Sequence, residues 1–110
     1  MSKEVKFTVM LTPGDRYRHH HVRVKGIVTS FRIQYETKVA GKWRPAVRYD
    51  TRHGFAHRDL LDKRGRARKT PLFTQGYNET LTFAEHDIKA NWRSYKRQFL
   101  REDENEAQAS

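Results

Sequence analysis

Residues 48–69 hold the side chains of this chain best suited to do chemistry. The run Arg48-Tyr49-Asp50-Thr51-Arg52-His53-Gly54-Phe55-Ala56-His57-Arg58-Asp59 leads through Lys63-Arg64-Gly65-Arg66 to Arg68-Lys69. Two histidines, a tyrosine and three aspartates stand there among eight lysines and arginines. An imidazole titrates at about pH 6.5, so a pair of them can serve as base and acid in the attack of a ribose 2′-hydroxyl on phosphate. If residues 55–61 are extended, His57 and Asp59 share a face about 7 Å apart, and the carboxylate can orient the ring. Gly54 permits a tight turn that returns His53 to the side of His57. Arg58, Arg52 or Arg48 would then stabilise the phosphorane, and Tyr49 would donate a proton or stack on a base. This is the chemistry of a metal-independent endoribonuclease. The plainer alternative is that both histidines only hydrogen-bond beside a phosphate.

A metal reading of the same residues is weaker. His53 and His57 with Asp59 offer three ligands, and His19-His20-His21 offers more, but the His-x-x-x-His spacing shares a face chiefly on a helix. Gly54 argues against a helix, so no metal and no other cofactor is expected. The surrounding cations suit a phosphate backbone: Arg48, Arg52, Lys63, Arg64, Arg66, Arg68 and Lys69 in this region, with Lys89, Arg93 and Lys96 further on. A solvated hairpin tip would account for the turn cations without any ligand.

The elements that must position these groups follow from periodicity. Val5, Phe7, Val9 and Leu11 alternate with polar residues, which marks a half-buried strand ended by Pro13-Gly14-Asp15. A second strand is expected from about His21, with a β-bulge at Gly26 where the apolar phase changes from Val22 and Val24 to Ile27, Phe31, Ile33 and Tyr35. A turn at Val39–Lys42 leads to Trp43, Val47 and Tyr49, with Pro45 placed at an edge or bulge. Asp62–Gly65 forms a turn between strands at about 55–61 and 66–73. After a loop over 74–80, Thr82 and Glu85 have capping-box spacing, and Ile88, Trp92, Tyr95 and Phe99 form one apolar helical stripe. Trp43 would either stack a base or pack under that helix, and core packing is the favoured placement. The expected fold is α+β: an antiparallel meander of five or six strands packed by one C-terminal helix. Residues 1–101 would form a single domain, and 102–110 an acidic disordered tail.

Charge narrows the choice of partner. The formal net charge is +10 over 110 residues. Glu102, Asp103, Glu104 and Glu106 crowd the last nine positions, so without those four the remaining body carries +14. A potential of that sign steers polyanions toward the chain. Cysteine is absent, which removes disulfides and thiolate chemistry. No apolar run approaches the roughly 20 residues of a membrane span, and no signal-peptide core is present. A cytoplasmic protein without membrane contact is expected.

Arg48-Tyr49-Asp50 followed by His53-Gly54, His57-Arg58-Asp59 and the Gly65 hairpin resembles the RYDN…H…H-x-H pattern of TumE-type toxins and their small relatives. The similarity covers residues 33–72. Thr51 stands where the pattern has Asn, and Asp59 where many relatives carry a further histidine. The resemblance nominates Tyr49, Asp50, His53 and His57, and implies a small toxin paired with a cognate antitoxin protein. Joined to the charge, it suggests a toxin-like protein directed at nucleic acid, RNA before DNA. The rival readings are a non-enzymatic RNA- or DNA-binding module and a phage or mobile-element accessory protein that binds a protein partner.

Overall fold

Six strands follow one another in sequence order, each ended by a turn or loop, although the apolar alternation of the first is not repeated in all of them. The computed structural model describes residues 1–72 and 76–109, with side chains as far as Arg101. The strands are β1 (Ser2–Thr12), β2 (Asp15–Val24), β3 (Ile27–Val39), β4 (Lys42–Asp50), β5 (His57–Leu61) and β6 (Ala67–Pro71), followed by helix α1 (Tyr77–Ala109). They form one antiparallel sheet in the order β1-β2-β3-β4-β5-β6, covered on one face by α1. This is an α+β meander of six strands. The side chains beyond Arg101, where the sequence suggests an acidic tail, lie outside the described residues. So does most of the start of the expected loop over 74–80.

Two turns explain where the sequence reading departs from the structure. Lys25 and Gly26 take φ of 52° and 80°, and Ala40 and Gly41 take 52° and 79°. Two consecutive residues with positive φ fit the tight hairpin turn whose twist matches that of paired strands. The apolar phase change near Gly26 is therefore a reversal of the chain rather than a bulge within one strand. The second strand begins six residues before His21, at Asp15. A bulge does lie nearby, where the β2–β3 register shifts between Val22 and Arg23. Pro45 sits at another, opposite Glu36, which accommodates a residue that cannot donate to the ladder.

Residues paired across antiparallel strands point to the same face. One face carries Tyr17, Ile33, Tyr35, Val47 and Tyr49, all buried, and meets Leu81, Ala84, Ile88, Trp92 and Phe99 of α1. Each such large side chain contributes about 1.5–3 kcal/mol through burial. Polar contacts fix the helix over the sheet. Val28 donates its backbone N–H to Asn78 Oδ1 (2.8 Å), and Tyr49 Oη donates to Asp87 Oδ2 (2.5 Å). The anchor at Asn78 accounts for the helix starting at Tyr77, one turn before the expected capping box. Thr82 is already inside it, donating to Asn78 O.

Trp43 is not under the helix. It pairs with Lys38 across β3–β4 and lies on the opposite face, with the Arg16 guanidinium 4.1 Å and the Lys38 ammonium 5.0 Å from its ring centre. A cation over an indole face is stabilised by the ring quadrupole, which favours this arrangement over core packing.

Candidate functional site

The face turned away from α1 is built by alternate residues that the strands expose together. One cross-strand row runs Lys6, His20, Arg32, Asp50, His57, and the next runs Thr8, Arg18, Gln34, Arg48, Asp59, Lys69. Arg16, Lys38 and Trp43 extend it toward the next hairpin. A groove of about 480 Å³ crosses these rows, with Lys6, Thr8, Arg18, His20, Arg32 and Gln34 among its lining residues. Gln34 and the carboxylates hold the guanidinium groups in place. Arg16 Nε donates to Glu36 Oε1 at 2.6 Å, Arg48 Nε to Gln34 Oε1 at 2.7 Å, and Arg32 Nη2 to Asp50 Oδ2 at 3.3 Å. Burial, together with the nearby Arg32 cation, pushes the Arg48 guanidinium below its ordinary value, though an arginine stays charged under any physiological condition.

At one end of this face, β4 and β5 bring Asp50, His57 and Asp59 into a buried cluster. His57 Nε2 lies 2.9 Å from Asp50 Oδ1 and 3.6 Å from Asp59 Oδ2. His57 Nδ1 faces the Phe55 carbonyl at 3.4 Å, and the backbone N–H of Arg52 donates to Asp50 Oδ1 at 3.2 Å. Exposure is 1% for His57, 4% for Asp50 and 5% for Asp59. The segment 51–56 folds over the ring. His53 stacks on His57 with centroids 5.7 Å apart, and Phe55 tilts against it at 5.6 Å.

The structure thus brings His53, His57 and Asp59 together, and separates Tyr49 and Arg58 from them. Adjacent residues of a strand alternate between faces. Tyr49, buried on the helix side, bonds Asp87, and burial with this acceptor pushes its phenol well above the usual range. Arg58 reaches Tyr95 Oη at 3.4 Å on that same side. Neither can serve the imidazoles. The expected phosphate-binding cations also divide. Arg48 and Lys69 belong to the open face, and exposed Arg52 lies beside it in the cleft bordering Asp50 and His20. Arg68 pairs with Leu60 and faces the other way. Lys63, Arg64 and Arg66 form the hairpin tip, where Asp62 accepts from the Arg66 side chain at 2.7 Å. Lys89 pairs with Glu85 (3.1 Å), Lys96 with Asp15 (3.3 Å), and Arg93 stacks over Trp92, so these helix cations serve the sheet–helix side.

Sequence reasoning missed Lys6, Arg16, Arg18, His20 and Arg32 on the open face. Their signal was present, since residues 16, 18 and 20 share a parity opposite to Tyr17 and His19. It was hidden by starting the second strand too late.

On the helix face, His19 and His21 form a second cluster. His19 Nε2 is 2.6 Å from His21 Nδ1, and His19 Nδ1 stands 3.2 Å from Glu85 Oε2 without a hydrogen-bond partner among the described residues. Phe7 stacks on His19. Burial lowers the affinity of both rings for a proton and outweighs the attraction of Glu85.

No helix among the described residues is long and apolar enough to cross a membrane. Neither a curated protein nor a solved structure matches the chain. One family profile, described as a domain of unknown function (DUF7718), matches residues 1–105. With nearly its whole length covered, the chain belongs to the DUF7718 family.

Proposed function

We propose that the helix-free face of the sheet binds single-stranded nucleic acid, RNA first, by its phosphate backbone. The observation that carries this reading is the alignment of Lys6, Arg16, Arg18, Arg32, Arg48 and Lys69 on one face, around a groove and beside an indole. Cations at strand spacing can follow a sugar–phosphate chain, and an aromatic ring among them offers a stacking surface for a base. The net charge of +10 supports the same reading.

Binding without cleavage is the better-supported form. His57 would have to reach a 2′-hydroxyl, yet two carboxylates face its Nε2 and the 51–56 segment covers it. A general base must come within hydrogen-bond reach of the proton it takes. The ribonuclease form therefore requires that segment to open. A toxin role with a cognate antitoxin rests on the resemblance over residues 33–72.

Fluorescence anisotropy with a labelled single-stranded RNA, repeated across ionic strength, tests the binding. The double variant Arg18→Glu/Arg32→Glu should weaken binding to all sequences alike and flatten the salt dependence by about 0.7 per lost phosphate contact. Arg93→Glu, on the helix, should leave it unchanged. Equal losses from both variants, or binding insensitive to salt, overturns the proposal. Incubating the same RNA with the protein and EDTA decides the nuclease form by whether product appears.

A further inference from the structure

We infer that Asp50, His57 and Asp59 form a binding site for one first-row divalent cation of the zinc or manganese class. One imidazole nitrogen and two carboxylates offer ligand atoms that all lie within 4.8 Å of one another. With metal–ligand bonds of about 2.1 Å, neighbouring ligands stand about 3.0 Å apart at octahedral angles and about 3.4 Å at tetrahedral ones. The separations of 2.9 Å and 3.6 Å from His57 Nε2 to Asp50 Oδ1 and Asp59 Oδ2 fall close to those spacings. Both separations from the imidazole therefore already suit an ion.

Two further observations suit a cation at this place. Asp59 is 5% exposed, and its Oδ1 has no hydrogen-bond partner among the described residues. A buried carboxylate oxygen left bare is costly unless something positive fills the gap. The other ring nitrogen of His57 meets a backbone carbonyl, Phe55 O, at 3.4 Å. In the tautomer whose Nδ1–H is directed at that carbonyl, the Nε2 lone pair points between Asp50 and Asp59, where it can serve as a metal ligand. Metal-bound histidines are held by this kind of contact.

One of the three ligands borders an opening, while His57 and Asp59 stay covered. A cleft of about 160 Å³, lined by His20, Ser30, Arg32, Asp50, Thr51 and Arg52, opens beside Asp50. Water can complete the coordination from that side. The imidazole selects against magnesium and calcium, which prefer oxygen alone. By sequence spacing alone, His53, His57 and Asp59 make the candidate set, and Gly54 argues against it. Here His53 stacks on the ring, and Asp50 takes the place assigned to it.

This inference does not depend on nucleic-acid binding, and its test uses no nucleic acid. The whole chain is stripped with chelator, and calorimetric titration is run with zinc chloride, manganese chloride and magnesium chloride separately. Zinc or manganese should bind at one equivalent per chain, and magnesium should not compete. Asp59→Asn preserves volume and should weaken binding about tenfold or more. His21→Gln should leave it intact, because the His19–His21 cluster lies on the helix face. Electron spin-echo modulation of the manganese-loaded wild-type chain should show a single coordinated imidazole nitrogen, a readout that needs no variant to fold. No stoichiometric binding, no imidazole coupling, unchanged affinity in folded Asp59→Asn, or loss of binding in His21→Gln overturns the proposal.

Discussion

Asp50 and His57 are direct cross-strand partners, and their side chains meet with Oδ1 2.9 Å from Nε2 while both remain closed to solvent. The pair joins β4 to β5 on the face that also carries the arginines. Its first consequence is mechanical. Asp50 also accepts from the Arg52 backbone and the Arg32 guanidinium, so it anchors the start of the segment that covers His57.

Asp50→Ala should therefore lower unfolding stability by about 1–3 kcal/mol, because it leaves the Arg52 backbone N–H and the Arg32 guanidinium without their acceptor. Urea denaturation measures this. A loss below about 0.5 kcal/mol, the scale of an ordinary surface substitution, would show that the cluster is not structural.

Acid should destabilise the fold in two stages. Burial holds His19 and His21 below the ordinary imidazole value. Unfolding returns them to about 6.5, so between the folded values and that point the unfolded chain binds more protons. Their contribution is complete above about pH 6.5 and is lost as pH falls through that window. Asp15 acts lower down. Burial alone would raise it, but hydrogen bonds from Thr12, Tyr35, Thr37 and Lys96 outweigh this and hold it below its usual range. That stability is present above about pH 3.9 and disappears as pH drops further. Urea midpoints at pH 7.5 and 5.5 should differ in the wild type and differ less in His21→Gln. Equal midpoints in the wild type would refute the first stage.

Tyr49→Phe removes the phenol that donates to Asp87 and should cost about 1–2 kcal/mol. Since Tyr49 points away from the basic rows, RNA affinity measured below the new melting point should stay at the wild-type value. A selective loss of affinity would mean that the two faces communicate, or that the bound strand lies elsewhere.

Ala40→Asn should stabilise the protein by about 0.5–1 kcal/mol. Ala40 holds φ of 52° ahead of Gly41, a conformation that asparagine tolerates better than alanine. Thermal unfolding reads the gain. A fall in midpoint would show that Ala40 makes a contact that outweighs its backbone.

The sheet and its helix were legible because the stripe Ile88–Phe99 reports burial directly, and the alternation at Val5–Leu11 marks a partly covered strand even though Phe7 stays exposed. The late start assigned to β2 has a plain cause. Asp15, Tyr17, His19 and His21 all face inward, and three of these are not apolar, so no hydrophobic period announces the strand. Their burial is made tolerable by partners far along the chain, such as Glu85 and Lys96, which single-strand patterning cannot see. The chemistry of 48–69 was half legible. The spacing His57-x-Asp59 correctly put both on one face, but the same alternation sends Tyr49 and Arg58 to the other. Trp43 misled because an indole near an edge reads as core until its cationic neighbours from β2 and β3 are known.

The meander has a consequence for how the protein is made. Every strand lies beside the one that precedes it along the chain, so the hairpins can zip one after another with little loop entropy to overcome, a topology of low contact order that favours rapid folding. The helix, however, comes last. Until it docks, the rings of Tyr35, Tyr49 and Ile33's neighbours stand uncovered on a nascent sheet with two open edges, and in that interval the young polypeptide is most exposed to aggregation.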